Sequence, residues 1–458
     1  MSDDPALWST SRQAQAIRTG EISSRELLEL YINRIESING ELNAVVTQDF
    51  AAARIQADAA DKALAAGENS GPLHGIPVTI KDALEVRGMR STGGAVELSN
   101  HIPEQDAPVV AAVREAGANI IGKTNLPRWS ADIQAYNEIF GQTGNPWNLE
   151  RVPGGSSGGA AAAVAAGLSS FEIGTDIGGS IRFPAAFCGV FGHKPSFGLV
   201  PSSGYLDHAA GGTTEADVNV IGPIARSAED LELLLTILLR QKEPWKIDLE
   251  SPPGQLNSLR VGTWLNDDFC PVDDIVLERT TAAAAALETA GFNLVGDRKP
   301  AIDPSEASNL AMALVSAAML QSGEDPGYTH RTWLEHHQAR EAIREAWARL
   351  FEDIDILLMP VSFVPPFTHI HEGDFSSRTL LCNGETRAYA DLVKWTMLVG
   401  MAYLPSTVPP IGLGSNGLPV GIQVVGKYGA DLTTIRFAGA LAELMGGYQP
   451  PPIALAAS

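Results

Sequence analysis

Apolar positions along the chain fall into two alternating rhythms. Residues 23–38 place Leu28, Tyr31, Ile32, Ile35 and Ile38 at helical spacing, behind a Ser23–Glu26 capping-box pattern. The run Gly75–Lys81 switches to a short apolar stretch and predicts a strand, with Pro77 at an early position where its missing N–H is tolerated. Asp106 is placed to cap a helix with Pro108 in its first turn and Val109, Val110 and Val113 inside. Ala118–Ile121 predicts a strand, Ala160–Ala166 a helix and Phe171–Ile173 a strand. Ser227–Asp230 reads as the cap of a helix over Leu231–Leu239. The alternation continues through Leu259–Gly262, Ile275–Ala290, Ile354–Met359, Leu418–Val425 and Leu432–Met445. Strands and helices taking turns in this way predict an α/β fold, a sheet with helices on both faces.

Length and composition narrow the class. The chain has 458 residues, and length alone would allow about three domains. A single large α/β domain over 1–458 is the expectation adopted, with 65–240 as the part that carries the glycine-rich motifs described below and 258–458 completing the sheet and pocket. The stretch Gln241–Asn257 is rich in Pro and charge but too short to mark a boundary. Apolar residues make up 45% and charged residues 19%, which suits a large core and excludes disorder. Charge runs strongly acidic: 32 Lys+Arg face 54 Asp+Glu, a net −22. That sign opposes phosphate neutralisation and attraction to anionic lipid, so neither nucleic acid nor membrane is an expected partner. The longest basic cluster, Lys242–Lys246, is broken by Glu243. Cys188, Cys270 and Cys382 cannot all pair, which favours a reducing compartment. Met1-Ser2-Asp3-Asp4 lacks the apolar segment of a secretion signal, and a cytoplasmic protein is expected.

Candidate chemistry gathers in two glycine–serine runs and one lysine. Pro153-Gly154-Gly155-Ser156-Ser157-Gly158-Gly159 is the first run, and Gly174 to Arg182 the second. Glycine lets backbone N–H groups approach a ligand, and a serine on such a turn is open to attack. The stretch Ile177-Gly178-Gly179-Ser180 offers consecutive N–H donors, as an oxyanion hole requires. Lys81 ends an apolar strand, where burial would push an amine toward neutrality and make it a base. Snorkelling or pairing with Asp82 would serve equally well for that residue taken alone. None of the nine histidines sits in a triad context that sequence reveals.

Two short patterns mislead. Gly154-x-Ser156-x-Gly158 and Gly155-x-Ser157-x-Gly159 satisfy the nucleophile-elbow pattern, but a polar, proline-ended stretch precedes them where an elbow needs a strand. Gly117 to Thr124 satisfies the P-loop pattern, but its interior is itself the strand and no helix follows.

Taken together, Gly75–Asp82, Gly122–Asn125, Gly141–Thr143 with Asn145-Pro146-Trp147, the double-glycine serine run and Gly174–Gly189 resemble the amidase signature hydrolases. The match is dense over residues 65–240 and weaker at Leu418–Gly426. The resemblance implies a three-layer α/β/α domain with a mixed central sheet. It implies Ser180 as nucleophile, Ser156 as a bridging serine on a cis peptide to Gly155, and Lys81 as general base. Ile177, Gly178 and Gly179, with Ser180, would form the oxyanion hole. Gly155, Ser157, Thr175, Asp176 and Arg182 would support them. No metal or organic cofactor is implied.

The implied reaction is amide C–N hydrolysis through an acyl-enzyme. Small or aryl amides are the expected substrates, and the same parts would serve esters and carbamates, including urethanes. An alternative branch releases ammonia from glutamine inside a tRNA-dependent amidotransferase, with partner subunits. That branch usually carries glutamine after the arginine that follows the nucleophile, whereas this chain has Phe183. A monomer or homodimer is therefore expected. Pocket residues are sought in Trp129–Phe140, with Ala131 and Tyr136 as candidates, in Phe183, and in the loop Ser202–Thr214.

Overall fold

Local signals start the first helices. In a computed structural model of the chain, residues 4–206, 215–239, 247, 249–252, 254–319 and 328–456 are described. Ser9 caps α1 (Thr10–Thr19), and Ser23 caps α2 (Ser24–Leu42). The capping box is complete: Ser23 Oγ accepts from Glu26 N–H, and the Glu26 carboxylate takes the Ser23 N–H at 2.8 Å. β1 (Val45–Gln48), α3 (Phe50–Ala65), β2 (Pro77–Lys81), α4 (Pro108–Glu115) and β3 (Asn119–Thr124) follow. β1, β3 and β2 form a small sheet in that order, with β2 parallel and β1 antiparallel to β3. Asp106 does not cap α4. Its carboxylate is taken by the Arg87 N–H and the Arg114 guanidinium, a pair of charge-assisted bonds that outweighs one cap contact.

The rest of the chain builds a larger sheet. β4 (Tyr136–Asn137) and β5 (Gly141–Gln142) make a short hairpin. Then come α5 (Gly158–Ala165), β6 (Glu172–Asp176), α6 (Arg182–Cys188), β7 (Phe191–Lys194), β8 (Val220–Ala225) and α7 (Ala228–Leu238). The second half adds β9 (Arg260–Thr263), α8 (Asp274–Thr289), β10 (Asn293–Asp297), α9 (Pro304–Met319), α10 (His330–Asp353) and β11 (Ile356–Pro360). After β12 (Thr379–Cys382), β13 (Glu385–Ala388) and α11 (Lys394–Met401) come β14 (Ser406–Val408), β15 (Pro410–Leu413), β16 (Pro419–Gly426) and α12 (Asp431–Met445). The large sheet runs β10-β9-β11-β16-β14-β7-β8-β6, with β15 also on β16. Only β10/β9 and β9/β11 are parallel, so the sheet is mixed.

Helices flank this sheet and set its spacing. α12 packs with α7 and α8, while α6 packs with α5. α5 has the sequence GGAAAAVA and every residue is buried. Small side chains let it lie against β6 and β8 of the large sheet and β2 and β3 of the small one. That position brings the end of β2 to the serine run at the start of α5. Among the described residues no helix is long and apolar enough to cross a membrane. The Lys242–Lys246 cluster lies outside the described residues.

Several helices carry weak sequence signals. α10 buries only Arg340, Ala346, Trp347, Leu350 and Phe351 along 24 residues, and charge hides so narrow a stripe. Another feature without a periodic signal is Arg34 on α2, which is 3% exposed. Its guanidinium donates to Asp4 Oδ2 (2.6 Å) and to the carbonyls of Ala166 (2.9 Å), Gly167 (3.2 Å) and Ala454 (2.8 Å). Arg34→Met strands those carbonyls and a carboxylate. It should lower the free energy of unfolding by about 3–5 kcal/mol, read from denaturant titration; an unchanged midpoint would contradict the role given to Arg34.

Candidate active site

β2 reads PVTIK and every residue in it is buried, the terminal lysine included. Lys81 is 0% exposed, and no carboxylate lies within ion-pair distance of it among the described residues. Its Nζ instead meets three hydroxyls: Ser156 Oγ at 2.7 Å, Thr175 Oγ1 at 2.7 Å and Ser157 Oγ at 3.0 Å. Burial lowers its pKa to about 7, against the opposing pull of Asp176 and Glu172. An amine in that range is partly neutral near physiological pH. Its lone pair can then accept the Ser156 proton across the same contact.

Two turns close on this amine. The peptide between Gly155 and Ser156 is cis. A Cβ on Gly155 would sit 2.4 Å from Gln134 N and Ile133 C, so only glycine fits beside that strand of backbone. A Cβ on Gly159 would meet Asn125 N and O at 2.5 Å. Ser157 N–H donates to the Ser180 carbonyl at 3.2 Å, which sets the second turn against the first. Ser180 itself is 5% exposed.

Asp176, at the end of β6, organises the second turn. Its carboxylate accepts from Gly179 N–H (2.8 Å) and Ile181 N–H (3.1 Å), and from Arg182 Nη2 (2.8 Å) and Nε (3.0 Å). Burial works to raise this carboxyl, and the Arg182 charge and hydrogen bonds outweigh it, holding the group below the usual range. Arg182 Nη1 continues to the Thr396 carbonyl (2.7 Å) and Gln423 Oε1 (2.8 Å). Gly179 therefore leaves the set of oxyanion donors read from the sequence, because its N–H is spent on Asp176. Among the described residues, no protein acceptor takes the N–H of Ile177, Gly178 or Ser180. These three remain to serve a ligand.

The candidate pocket residues scatter. Ala131 is exposed, while Tyr136 is half-buried and stacks on His371 at 4.3 Å. Phe183 is fully buried, edge-on to Phe187 and packed under Gly179, so it is a wall beneath the turn and not a cleft residue. Within the loop Ser202–Thr214, residues 207–214 lie outside the described residues. The flank of Gly178 is formed by Met397 and Val393, the nearest side chains to a Cβ placed there. Asp132, Arg378 and Tyr389 make a closed polar cluster beside the first turn: Arg378 Nη1 and Tyr389 OH donate to Asp132 at 2.5 and 2.6 Å, and Arg378 Nη2 donates to Tyr136 OH at 2.7 Å. Sequence reading missed Thr396, Gln423, Met397, Val393 and this cluster. Of these, Gln423 and Asp132 stand in stretches that the resemblance covered, and Asp132 lies in the Trp129–Phe140 segment searched for pocket residues. Among the described residues no group of three or more His, Cys, Asp or Glu is placed to hold a metal ion.

The amidase family profile matches residues 26–326 and 315–435, and the chain belongs to that family. It is an amidase-type enzyme acting on carbon–nitrogen bonds. Among curated relatives, a glutamyl-tRNA(Gln) amidotransferase subunit of the A type, from Synechococcus sp. (strain CC9902), is 34% identical over 93% of this chain and 94% of its own length. A bacterial aryl acylamidase of the amidase signature family superposes with a TM-score of 0.83 at 26% identity, covering 98% of each chain. The substrate complex of 6-aminohexanoate cyclic dimer hydrolase superposes with a TM-score of 0.79 at 26% identity, over 98% of this chain and 99% of that one.

Asp176→Ala removes the acceptor of three backbone N–H groups, those of Gly179, Ile181 and Arg182, and leaves Arg182 buried without its carboxylate. Unfolding free energy should fall by about 3–5 kcal/mol, measured by chemical denaturation; an undiminished value would mean that the pair does not organise the turn.

Proposed function

We propose that the chain cleaves amide C–N bonds by a serine relay, with Ser180 as nucleophile, Ser156 as bridge and Lys81 as base. The observation that carries this reading is the fully buried Lys81 amine, held by three hydroxyls with Ser156 at 2.7 Å and, among the described residues, no carboxylate paired to it. Ser180 Oγ bonds to the substrate carbonyl carbon and passes its proton to Ser156 Oγ, which passes its own to neutral Lys81. Negative charge on the carbonyl oxygen is met by the N–H groups of Ile177, Gly178 and Ser180. The proton returns along the same path to the leaving nitrogen, the C–N bond breaks, and an acyl-enzyme remains. Water then attacks the ester by the reverse relay. Ser157 and Thr175 hold Nζ in place throughout.

The substrates proposed are small or aryl amides, with esters and carbamates open to the same attack. The apolar flank of Met397 and Val393 beside Gly178 supports an uncharged acyl or aryl group. A second reading is an amidotransferase A-type subunit that frees ammonia from glutamine for a partner. It is favoured by the curated relatives, which bear that name at 32% to 34% identity over nearly their whole length, and by sequence it is the stronger of the two. The purified chain should be offered an aryl anilide and, separately, glutamine, with and without the partner subunits of such a relative. Anilide turnover by the chain alone supports the first reading; ammonia release from glutamine that needs the partners supports the second.

A sulfonyl fluoride should label Ser180, located by peptide mass mapping, and the adduct should vanish in Lys81→Ala. An adduct on Ser156 or Ser157 would overturn the nucleophile assignment. Ser180→Ala should lower kcat by about 10³-fold or more with the fold retained. The base works when neutral, so raising the pH activates it. Activity should climb about tenfold per pH unit below the Lys81 pKa and level off above it; a rate that falls as pH rises through 7 would exclude Lys81 as base.

A further inference from the structure

A second buried ionisable group stands beside the site and has no part in the relay. Glu172 opens β6 and is 0% exposed. Its Oε1 accepts from Thr79 Oγ1 (2.7 Å) and Thr124 Oγ1 (2.8 Å), and its Oε2 from Ile173 N–H (2.9 Å). Thr79 and Lys81 are two residues apart on β2, so their side chains leave the same face of the strand. Among the described residues no cation lies within ion-pair distance of Glu172. Neither does any carboxylate pair with Lys81. Two buried groups of opposite potential charge thus share one face of β2, each held only by hydroxyls and backbone.

We propose that Glu172 is a positioning residue that sets how readily Lys81 takes the proton of Ser156, through its unpaired carboxylate and without touching a reacting atom. The inference rests on the reading of Lys81 as base. Ionised Glu172 favours the ammonium form of Lys81 and so holds the base back; protonated Glu172 releases it. Burial pushes the Glu172 carboxyl up to about 7, against its hydrogen bonds from Thr79, Thr124 and Ile173, and burial brings Lys81 down to about 7. The two groups therefore exchange influence in the pH range where the enzyme would work.

Other charges around Lys81 are already matched. From β6, Asp176 is bound by Arg182 at the start of α6. From β3, Lys123 lies 3.4 Å from Asp82, the residue after β2, and donates to the Leu84 carbonyl and Ser91 Oγ. α5 contributes no titratable side chain. α2, which packs on β2, buries only Arg34 among its charged residues, and that guanidinium is held by Asp4 and carbonyls. β8, paired with β6 through Ile224, reads VIGPIA and is uncharged. Lys123 also draws on Glu172 from a distance, lowering its carboxyl, but burial outweighs that pull and no cation reaches ion-pair contact with Glu172 among the described residues.

The test is the ratio of kcat/KM at pH 6 to that at pH 8 for Glu172→Gln, on whichever amide the enzyme turns over. Glutamine keeps the shape and an acceptor oxygen for Thr79 and Thr124 while removing the charge. The ratio should rise about 1.5-fold, because neutral Lys81 then persists to lower pH; the change is modest because a carboxyl near 7 is already largely protonated at pH 6. Thr79→Val is the second variant. It leaves Glu172 in place but removes a bond that favours its ionised form, so the ratio should rise in the same direction by less. It decides the matter should Glu172→Gln fail to fold. An unchanged or lower ratio in the folded variants overturns the proposal, provided Lys81→Met is inactive. Should Lys81→Met keep turnover with the same acid limb, the base assignment fails instead, and this proposal fails with it.

Discussion

A fully buried lysine amine, with no carboxylate in ion-pair contact among the described residues, is the constraint around which this fold is arranged. Moving Lys81 from the ordinary lysine range to about 7 corresponds to about 5 kcal/mol of disfavoured charge. Whole domains are stable by only about 5–15 kcal/mol, so the rest of the chain must absorb that burden. Three hydroxyls compensate Nζ locally. The wider compensation is steric: β2 must be fixed at both ends, α5 must lie close, and two glycine turns must meet without side chains between them.

Asp176 and Arg182 show how the absorption is organised. The pair is fully buried, yet each partner has several further hydrogen bonds, which is the condition under which a buried ion pair holds together. Through Arg182 the turn is tied to Thr396 and Gln423, residues more than two hundred positions away in sequence. Through Gly179 and Ile181 it is tied to its own backbone. One carboxylate thereby fixes which N–H groups of the turn are consumed and which are left to a ligand.

Much of this was legible in the chain itself. The Ser23–Glu26 box, the strand ending at Lys81, both glycine–serine runs and the alternation that predicts an α/β sheet with helices on both faces are local patterns, and local patterns survive folding. What was lost depended on distance. Gln423, Thr396 and Met397 reach the turn only because β16 and α11 come to lie beside α6, and no spacing rule reports that. Asp106 looked like a cap until Arg114, one helical face away, claimed it. Gly179 looked like a donor until the carboxylate three residues earlier took its N–H. Phe183 looked like part of a cleft, but a ring under a glycine turn packs inward. Rules of spacing cannot weigh such competition, because it is decided by partners that only tertiary structure supplies.

The order of strands in the large sheet has a consequence for how the protein is made. β6, β7 and β8 come from the first half, and β7 has β14 as its other neighbour. During synthesis β7 stands as an unpaired edge until about two hundred more residues have left the ribosome, roughly 10–40 seconds at ordinary elongation rates. Gln423, the partner of Arg182, emerges later still. For that interval an uncovered edge and an incomplete ion-pair network are exposed in the cell, where edges of this kind recruit other strands. The period of greatest risk for this protein is therefore set by the ribosome, before the site exists at all.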